Sequence, residues 1–405
     1  MKYRVLGKTG LRVSAIGLGT WQYCGDWGKE FTNEEVKGIL DRASELGFNL
    51  IDSAAGYGPN HLSETMVGEA IKGSRDKWVL STKFGRYRTG KGEDTVVCDF
   101  SADAVKGQLE DSLRAFQTDC IDIYLMHSAP TDQIDNDELW TMLDKAKQDG
   151  KIKNYGLSLQ GVKNLLHCEM ADLFGCSVVE MIYNALDSAP GTNGTLDFCQ
   201  KAELGVLARV PLAQGYLSGK YKPGAKFDKS DVRSYYYSED VTQKRIAAAL
   251  EFIEKNVPAN VTPSHWAMAW SVAHPAVGAC IPGFKSIAQL EDGAKAADYI
   301  FSNHPLTVDL SIRSGLPHLS QRGESRAAPK IRQSQIIQGG PPWSISTETF
   351  TEPRSLRSIW THAKRPPQRT PPVSAGRSAP AGCWAFPCST GSSMCSSILR
   401  PSTAS

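Results

Sequence analysis

Ile121-Asp122-Ile123-Tyr124-Leu125-Met126-His127 is a short, almost wholly apolar run that ends on a polar residue, followed by a stretch with helical patterning. The same unit recurs on both sides. Upstream lie Phe48-Asn49-Leu50-Ile51-Asp52 and Trp78-Val79-Leu80-Ser81-Thr82-Lys83, with Ala15–Gly19 before them. Downstream lie runs at 152–158, 178–183, 205–210 and 277–281. Strands that are apolar on both faces are those of a parallel sheet covered on both sides. Amphipathic segments near 62–72, 102–116, 138–148, 161–171, 194–203, 241–255 and 287–298 supply the cover, with an earlier helix that Asn33 would cap and Gly47 would close. Eight such units in about 290 residues fit a closed (β/α)8 TIM barrel better than an open sheet. Arg4-Val5-Leu6, the turn Lys8-Thr9-Gly10 and Leu11-Arg12-Val13 predict an N-terminal β-hairpin in front of it.

The alternative fold, a Rossmann-like sheet, wants G-x-G-x-x-G after its first strand. Gly17-Leu18-Gly19-Thr20-Trp21-Gln22 starts that way but ends on Gln. Gly85 to Gly92 nearly spells a P-loop, yet Gly92 stands where Ser or Thr would hold a metal. The next helix begins only around Ser101, so this stretch reads as a flexible basic loop.

The net charge of +2 hides a break in composition. Residues 1–310 hold 33 Lys and Arg against 40 Asp and Glu, whereas residues 311–405 hold 12 against 3 and carry 12 of the 22 prolines. The expectation is a barrel over 1–302 and a Ser/Pro/Arg-rich tail over 303–405, either a disordered extension or an aberrant C-terminus; the abrupt break favours the second. No signal-like h-region and no bilayer-length apolar run is present, and the ten cysteines include no C-x-x-C. These features predict a cytoplasmic protein with reduced core cysteines, no metal site, no membrane and no nucleic-acid partner. Two sequons, at Asn193 and Asn260, then read as accidental.

Asp52, Lys83 and His127 end consecutive strands, and Tyr57 lies five residues past Asp52. Each has an ordinary structural reading: a loop cap, a lysine reaching solvent, a packed aromatic, a satisfied histidine. Together they make chemical sense at the rim where barrels place their sites. A Tyr hydroxyl, ordinarily near pKa 10, is drawn toward the phenolate by a neighbouring ammonium. A carboxylate orients that ammonium, and a His positions a carbonyl oxygen or relays the proton. Pro211 to Lys220 is rich in small residues that admit a pyrophosphate, with Lys220 supplying charge, and Lys285 opens the last helix where its N-terminus favours an anion.

Ile51-Asp52-Ser53-Ala54-Ala55-Gly56-Tyr57-Gly58 with Ser63-Glu64, Ser81-Thr82-Lys83-Phe84-Gly85 and Asp122–His127 together resemble the aldo-keto reductases, as do Gly17–Trp21, Pro211–Lys220 and Ile281–Ser286. The resemblance spans roughly residues 3–300. It implies NADP(H) across the barrel mouth, a catalytic tetrad of Asp52, Tyr57, Lys83 and His127, and a small-molecule carbonyl substrate beside Trp21, Tyr57 and His127. It further implies nicotinamide contacts at Ser158, Leu159 and Glu180, and pyrophosphate contacts from Leu212 to Lys220. Lys285 and Gln289 would meet the adenosine phosphate, and Asp292 the adenine. The implied cofactor-binding set also takes in Gly19, Thr20, Trp21, Asp52, Arg209, Pro211, Gln214, Gly215, Leu217, Ser218, Gly283 and Ser286. Leu159 stands where the family commonly has Asn, Glu180 where Gln is usual, and Gly293 where Asn often touches adenine. The activity implied is NADPH-dependent reduction of aldehydes, ketones or sugars, with Tyr57 as general acid. The alternatives are a cofactor-binding regulatory barrel resembling channel β subunits, and an inactive variant without the usual C-terminal pocket segment.

Overall fold

In a computed structural model that describes residues 1–90, 95–161 and 164–300, each of the eight apolar runs contributes a strand to one parallel sheet. The charge-skewed tail over 303–405 lies outside the described residues. Two strands, β1 (Tyr3–Val5) and β2 (Arg12–Ser14), form the antiparallel hairpin, with Tyr3 opposite Ser14. The barrel then runs through β3 (Leu18–Gly19), β4 (Leu50–Asp52) and β5 (Val79–Phe84). A second hairpin, β6 (Arg86–Arg88) and β7 (Val96–Cys98), interrupts it. It resumes with β8 (Ile121–His127), β9 (Ile152–Ser158), β10 (Val178–Ile182), β11 (Gly205–Arg209) and β12 (Val277–Ile281). Parallel bridges from Ile16 to Cys280 and from Gly19 to Gly283 close β3 onto β12. Gly17 N–H donates to Cys280 O (2.8 Å) and Gly19 N–H to Pro282 O (2.9 Å) across that seam.

The interior is filled by Leu50, Ile123, Leu125, Val178, Leu207 and Ala279, with Leu6 and Val13 from the N-terminal hairpin. Leu6 plugs the bottom because two strands there carry glycine: a Cβ on Gly205 or Gly278 would come within 2.6 or 2.5 Å of its side chain. That leaves the opposite rim, at the C-terminal strand ends, for a site.

Around the barrel lie α1 (Asn33–Glu45), α2 (Leu62–Ala70), α3 (Ala102–Phe116), α4 (Thr131–Ile134), α5 (Asp137–Gln148), α6 (Asn164–Leu173) and α7 (Thr195–Lys201). They are followed by α8 (Arg233–Tyr236), α9 (Glu239–Asn256), α10 (Pro263–Ser271) and α11 (Ile287–Ala294). Amphipathic spacing puts Val36, Ile39, Leu40 and Ala43 of α1 into the layer between helices and strands. Its start differs from the expectation. Thr32, not Asn33, is the cap, because only Thr32 has Glu35 three residues on to return a bond: Glu35 N–H donates to Thr32 Oγ1 and Thr32 N–H to Glu35 Oε2.

Two other expectations are corrected. The stretch from Gly85, read as a flexible basic loop, contains β6, which pairs with β7. The unit after β11 is not one strand and one helix but a long loop followed by α8, α9 and α10. All seven cysteines of the described residues are free, five of them buried. No helix among the described residues is long and apolar enough to cross a membrane.

Candidate active site

Register sets the site. Asp52 pairs with Ser81, and Lys83 lies two residues further along β5 on the same face. Lys83 pairs with Leu125, an interior residue, so His127, two further along β8, also faces the barrel axis. Tyr57 enters from the loop after β4, where Gly58 (φ +88°) reverses the chain. The four residues expected at the site thus meet at one rim.

Lys83 is fully buried and fully engaged. Its ammonium donates to Asp52 Oδ2 (2.6 Å), Ser53 O (2.9 Å) and Tyr57 Oη (3.3 Å). A second carboxylate, Glu180 Oε2 on β10, stands 3.2 Å away. Asp52 is itself fixed by Ser81 Oγ–H (2.9 Å), and Glu180 by Ser158 Oγ–H (3.0 Å). Removing an isolated ammonium from water is costly; two carboxylates and a carbonyl offset that cost here.

The protonation tendencies follow from this crowding. Burial and the Glu180 charge push the Asp52 carboxyl up to about 7, against the pull of Lys83. Burial disfavours charge on Lys83, but Asp52, Glu180 and Tyr57 outweigh it and hold the ammonium above its ordinary range. The expected lowering of Tyr57 is reversed. Burial pushes its hydroxyl up to about 12, Lys83 opposes this, and Asp52 and Glu180 add to the rise. His127 is driven well below its ordinary value by burial first and then by the Arg86 and Lys83 charges, so its ring stays neutral.

The tyrosine ring stacks on Trp21 (centroids 5.9 Å, 15°) and meets His127 edge-on at 6.1 Å. Trp21 is held in turn by its indole N–H on Asp26 Oδ2 (3.0 Å). The residues expected to hold a cofactor divide into two sets. Ser158, Glu180 and Arg209 line the rim beside Lys83, and Arg209 donates to Leu159 O (2.8 Å). Pro211, Leu212, Gln214, Gly215, Leu217, Ser218 and Lys220 form the loop after β11. In it Ala213, Gln214 and Gly215 take left-handed φ values of +47°, +60° and +93° in succession. Ala213 N–H donates to Val210 O and Gly215 N–H to Leu212 O (both 2.9 Å), so these turns close on the loop's own carbonyls.

Others are committed elsewhere. Thr20 is buried, donating to Asp52 O (3.1 Å) and accepting from Ser63 Oγ (2.8 Å), so it positions the tetrad strand. Gly19 and Gly283 serve close packing: a Cβ on the first would meet Ile281 O at 2.9 Å, and on the second the Gln22 side chain. Ser286 caps α11, and the Gln289 carboxamide accepts the Lys285 N–H (2.9 Å). Asp292 pairs with His265 (3.2 Å) and Lys295 (3.4 Å).

The aldo/keto reductase family model matches residues 15–304. The chain belongs to the aldo/keto reductase family. It is 30% identical over 302 residues to an uncharacterized oxidoreductase of Bacillus subtilis, covering 74% of this chain and 92% of that protein. It is 28% identical over 287 residues to an aldo-keto reductase of Schizosaccharomyces pombe whose name carries NADP(+), covering 69% and 82%. A holo-form aldo-keto reductase of Bacillus halodurans superposes with a TM-score of 0.60 at 28% identity, covering 77% of this chain and 99% of that one.

This aldo/keto reductase also uses residues the sequence did not single out. Arg233 pairs with Asp231 through two bonds (2.8 and 2.5 Å) and donates to Gln214 O (3.2 Å), holding the left-handed loop from beneath. Val232 N–H donates to Asp26 O (2.6 Å), joining the loops after β3 and β11. The only sequence signal was the Asp231-x-Arg233 spacing, which alone is common. NAD(P)H use is general in the family, and buried polar atoms at the rim fit such a ligand. His127 Nδ1, Arg209 Nε and Gln214 Oε1 have no hydrogen-bond partner among the described residues.

Proposed function

We propose that this protein is an NADP(H)-dependent reductase of aldehyde, ketone or sugar carbonyls, with Tyr57 as proton donor and Asp52, Lys83 and His127 assisting it. The observation that carries this reading is the buried Asp52–Lys83–Tyr57 chain, which ends beside His127 at the rim. Ser158, Glu180 and Arg209 would hold the nicotinamide end, the loop Pro211–Lys220 the pyrophosphate, and Lys285 the adenosine phosphate. When bound, the reduced cofactor supplies hydride to the carbonyl carbon. Tyr57 Oη–H protonates the carbonyl oxygen, and Lys83, 3.3 Å away, stabilises the phenolate that remains. Neutral His127 orients the oxygen without competing for its charge. Consumption of NADPH, followed at the nicotinamide absorbance with nitrobenzaldehyde and a panel of ketones and sugars, tests the reading. No turnover with any of them would overturn it.

A pH profile follows from the phenol. With its hydroxyl pushed up to about 12, Tyr57 remains protonated through the neutral range. Reduction, which uses the protonated form, should lose nothing to ionisation of Tyr57 from about pH 6 to 9, a step near 7 belonging to Asp52. Alcohol oxidation needs the phenolate, whose fraction rises about tenfold per pH unit below the pKa, so oxidation should climb steeply. A reduction rate that climbs with pH in parallel with oxidation would exclude Tyr57 as the donor.

Glu180 sets the balance of cofactor forms. Its carboxylate shares Lys83 with Asp52, with Arg209 Nε 3.7 Å from Oε1 as partial compensation. A negative group there favours the cationic oxidised ring. Glu180→Gln should raise the Kd for NADP+ relative to NADPH about fivefold, the ratio corresponding to roughly 1 kcal/mol. Fluorescence titration of both forms measures it; equal changes would refute the electrostatic role.

A further inference from the structure

A cavity of about 490 Å³ is lined by Arg86, Asp99, Ser128, Gln133, Asn136 and Gln160 among others. Two of these residues stand close in the chain to the tetrad. Ser128 directly follows His127, and Arg86 lies three residues past Lys83. Between them Gly85 (φ +85°) turns the chain sharply, in a place where a Cβ would come within 2.0 Å of the Phe100 ring. Arg86 is the charge that most strongly disfavours protonation of His127, which places its guanidinium near that ring.

Three of the polar side chains around the cavity are spent on the fold. Asp99 Oδ1 accepts from Ser101 N–H (3.0 Å) and Oγ–H (2.7 Å). Asn136 Oδ1 caps α5 by accepting the Leu139 N–H (3.1 Å), and Gln160 Nε2 donates to Ser128 O (2.7 Å). Arg88, two residues beyond Arg86 on β6, is buried and bonded to both oxygens of Asp26 (3.1 and 2.9 Å). Arg86 is half-buried, and its guanidinium has no hydrogen bond or ion pair with any described residue. A guanidinium presents a planar fork of donors suited to a carboxylate or a phosphate.

We propose that this cavity is the subsite for the far end of the substrate and that Arg86 anchors an anionic group there, so that the substrates are carbonyl compounds bearing a carboxylate or a phosphate. The inference rests on the carbonyl-reductase reading for its chemistry but not for its binding. A cavity of this size falls within the range of small-molecule sites and accommodates a chain of a few carbons.

The experiment has two parts. First, kcat/KM is compared within matched pairs: butanal against succinic semialdehyde, and glyceraldehyde against glyceraldehyde 3-phosphate. The wild-type protein should prefer one or both anionic members by about tenfold or more, and the pair with the larger ratio tells carboxylate from phosphate. Arg86→Gln should erase that ratio by raising KM for the anionic member of each pair, and Arg86→Lys should restore part of it. An unaltered ratio in Arg86→Gln, or no preference in the wild type, overturns the proposal. Second, calorimetry measures succinate and glycerol 3-phosphate binding to both proteins without turnover. Arg86-dependent binding with no reduction of any aldehyde would sink the reductase reading and keep the subsite. Binding that is absent, or equal in both proteins, sinks the subsite.

Discussion

Tyr57→Phe should reduce carbonyl turnover by about 10²–10⁴-fold, the usual contribution of a positioned acid, while NADPH binds with nearly unchanged affinity. The substitution removes one oxygen and keeps the ring. The stack on Trp21 at 5.9 Å and the edge contact with His127 at 6.1 Å are contacts of the ring and survive. Lys83 loses a 3.3 Å acceptor but retains Asp52 Oδ2, Ser53 O and Glu180 Oε2, so the buried ammonium is not orphaned and the barrel should fold. None of the groups proposed to grip the cofactor touches the Tyr57 hydroxyl. Stopped-flow turnover with nitrobenzaldehyde and fluorescence titration with NADPH separate the two effects. A variant keeping more than about a tenth of wild-type turnover would remove Tyr57 from the acid role, since so small a loss is below what acid catalysis contributes.

The reversal of the Tyr57 shift shows where reading a sequence stops. A lysine near a tyrosine implies a lowered hydroxyl, and the sequence shows that pair. It does not show that the hydroxyl is buried, nor that two carboxylates stand on the lysine's far side. The strands were legible because both their faces are covered, which leaves uninterrupted apolar runs; β9 occupies the predicted 152–158. For the same reason α10 was not legible. Seven of its nine residues are buried, so it has no polar face and its period is hidden. The β6–β7 hairpin was missed because Arg86-Tyr87-Arg88 is short and charged and follows glycine, while its partner strand lies eight residues away. Arg86, Asp26 and Arg233 escaped notice because their roles depend on contacts between distant loops. Asp52, Lys83 and His127 were visible because strand ends are visible.

Lys285→Ala should weaken NADPH binding about tenfold or more and leave NADH binding nearly unchanged. The two cofactors differ by a 2′-phosphate, and a charge-assisted bond to such a group contributes roughly 1.5–3 kcal/mol. The structure narrows which group can supply it. Ser286 Oγ already accepts the Gln289 N–H, and the Gln289 carboxamide accepts the Lys285 N–H, so both are engaged in the cap of α11. Lys29 is paired with Glu35 at 3.0 Å. Among the described residues the Lys285 ammonium has only the neutral Trp27 carbonyl as hydrogen-bond partner, and it lies over the Trp27 ring at 5.9 Å. Exchanging a carbonyl for a phosphate is a gain for an ammonium. Burial, countered by Asp231 and reinforced by the Arg233 and Lys220 charges, lowers its pKa, which marks a locally positive surface that an anion would relieve. Glu291, which could have offset this charge from the same helix, is instead bonded to Arg42 at 2.7 Å. Titration of each cofactor into the wild type and the variant checks the result. Equal losses for NADPH and NADH, or none, would mean that Lys285 does not read the phosphate.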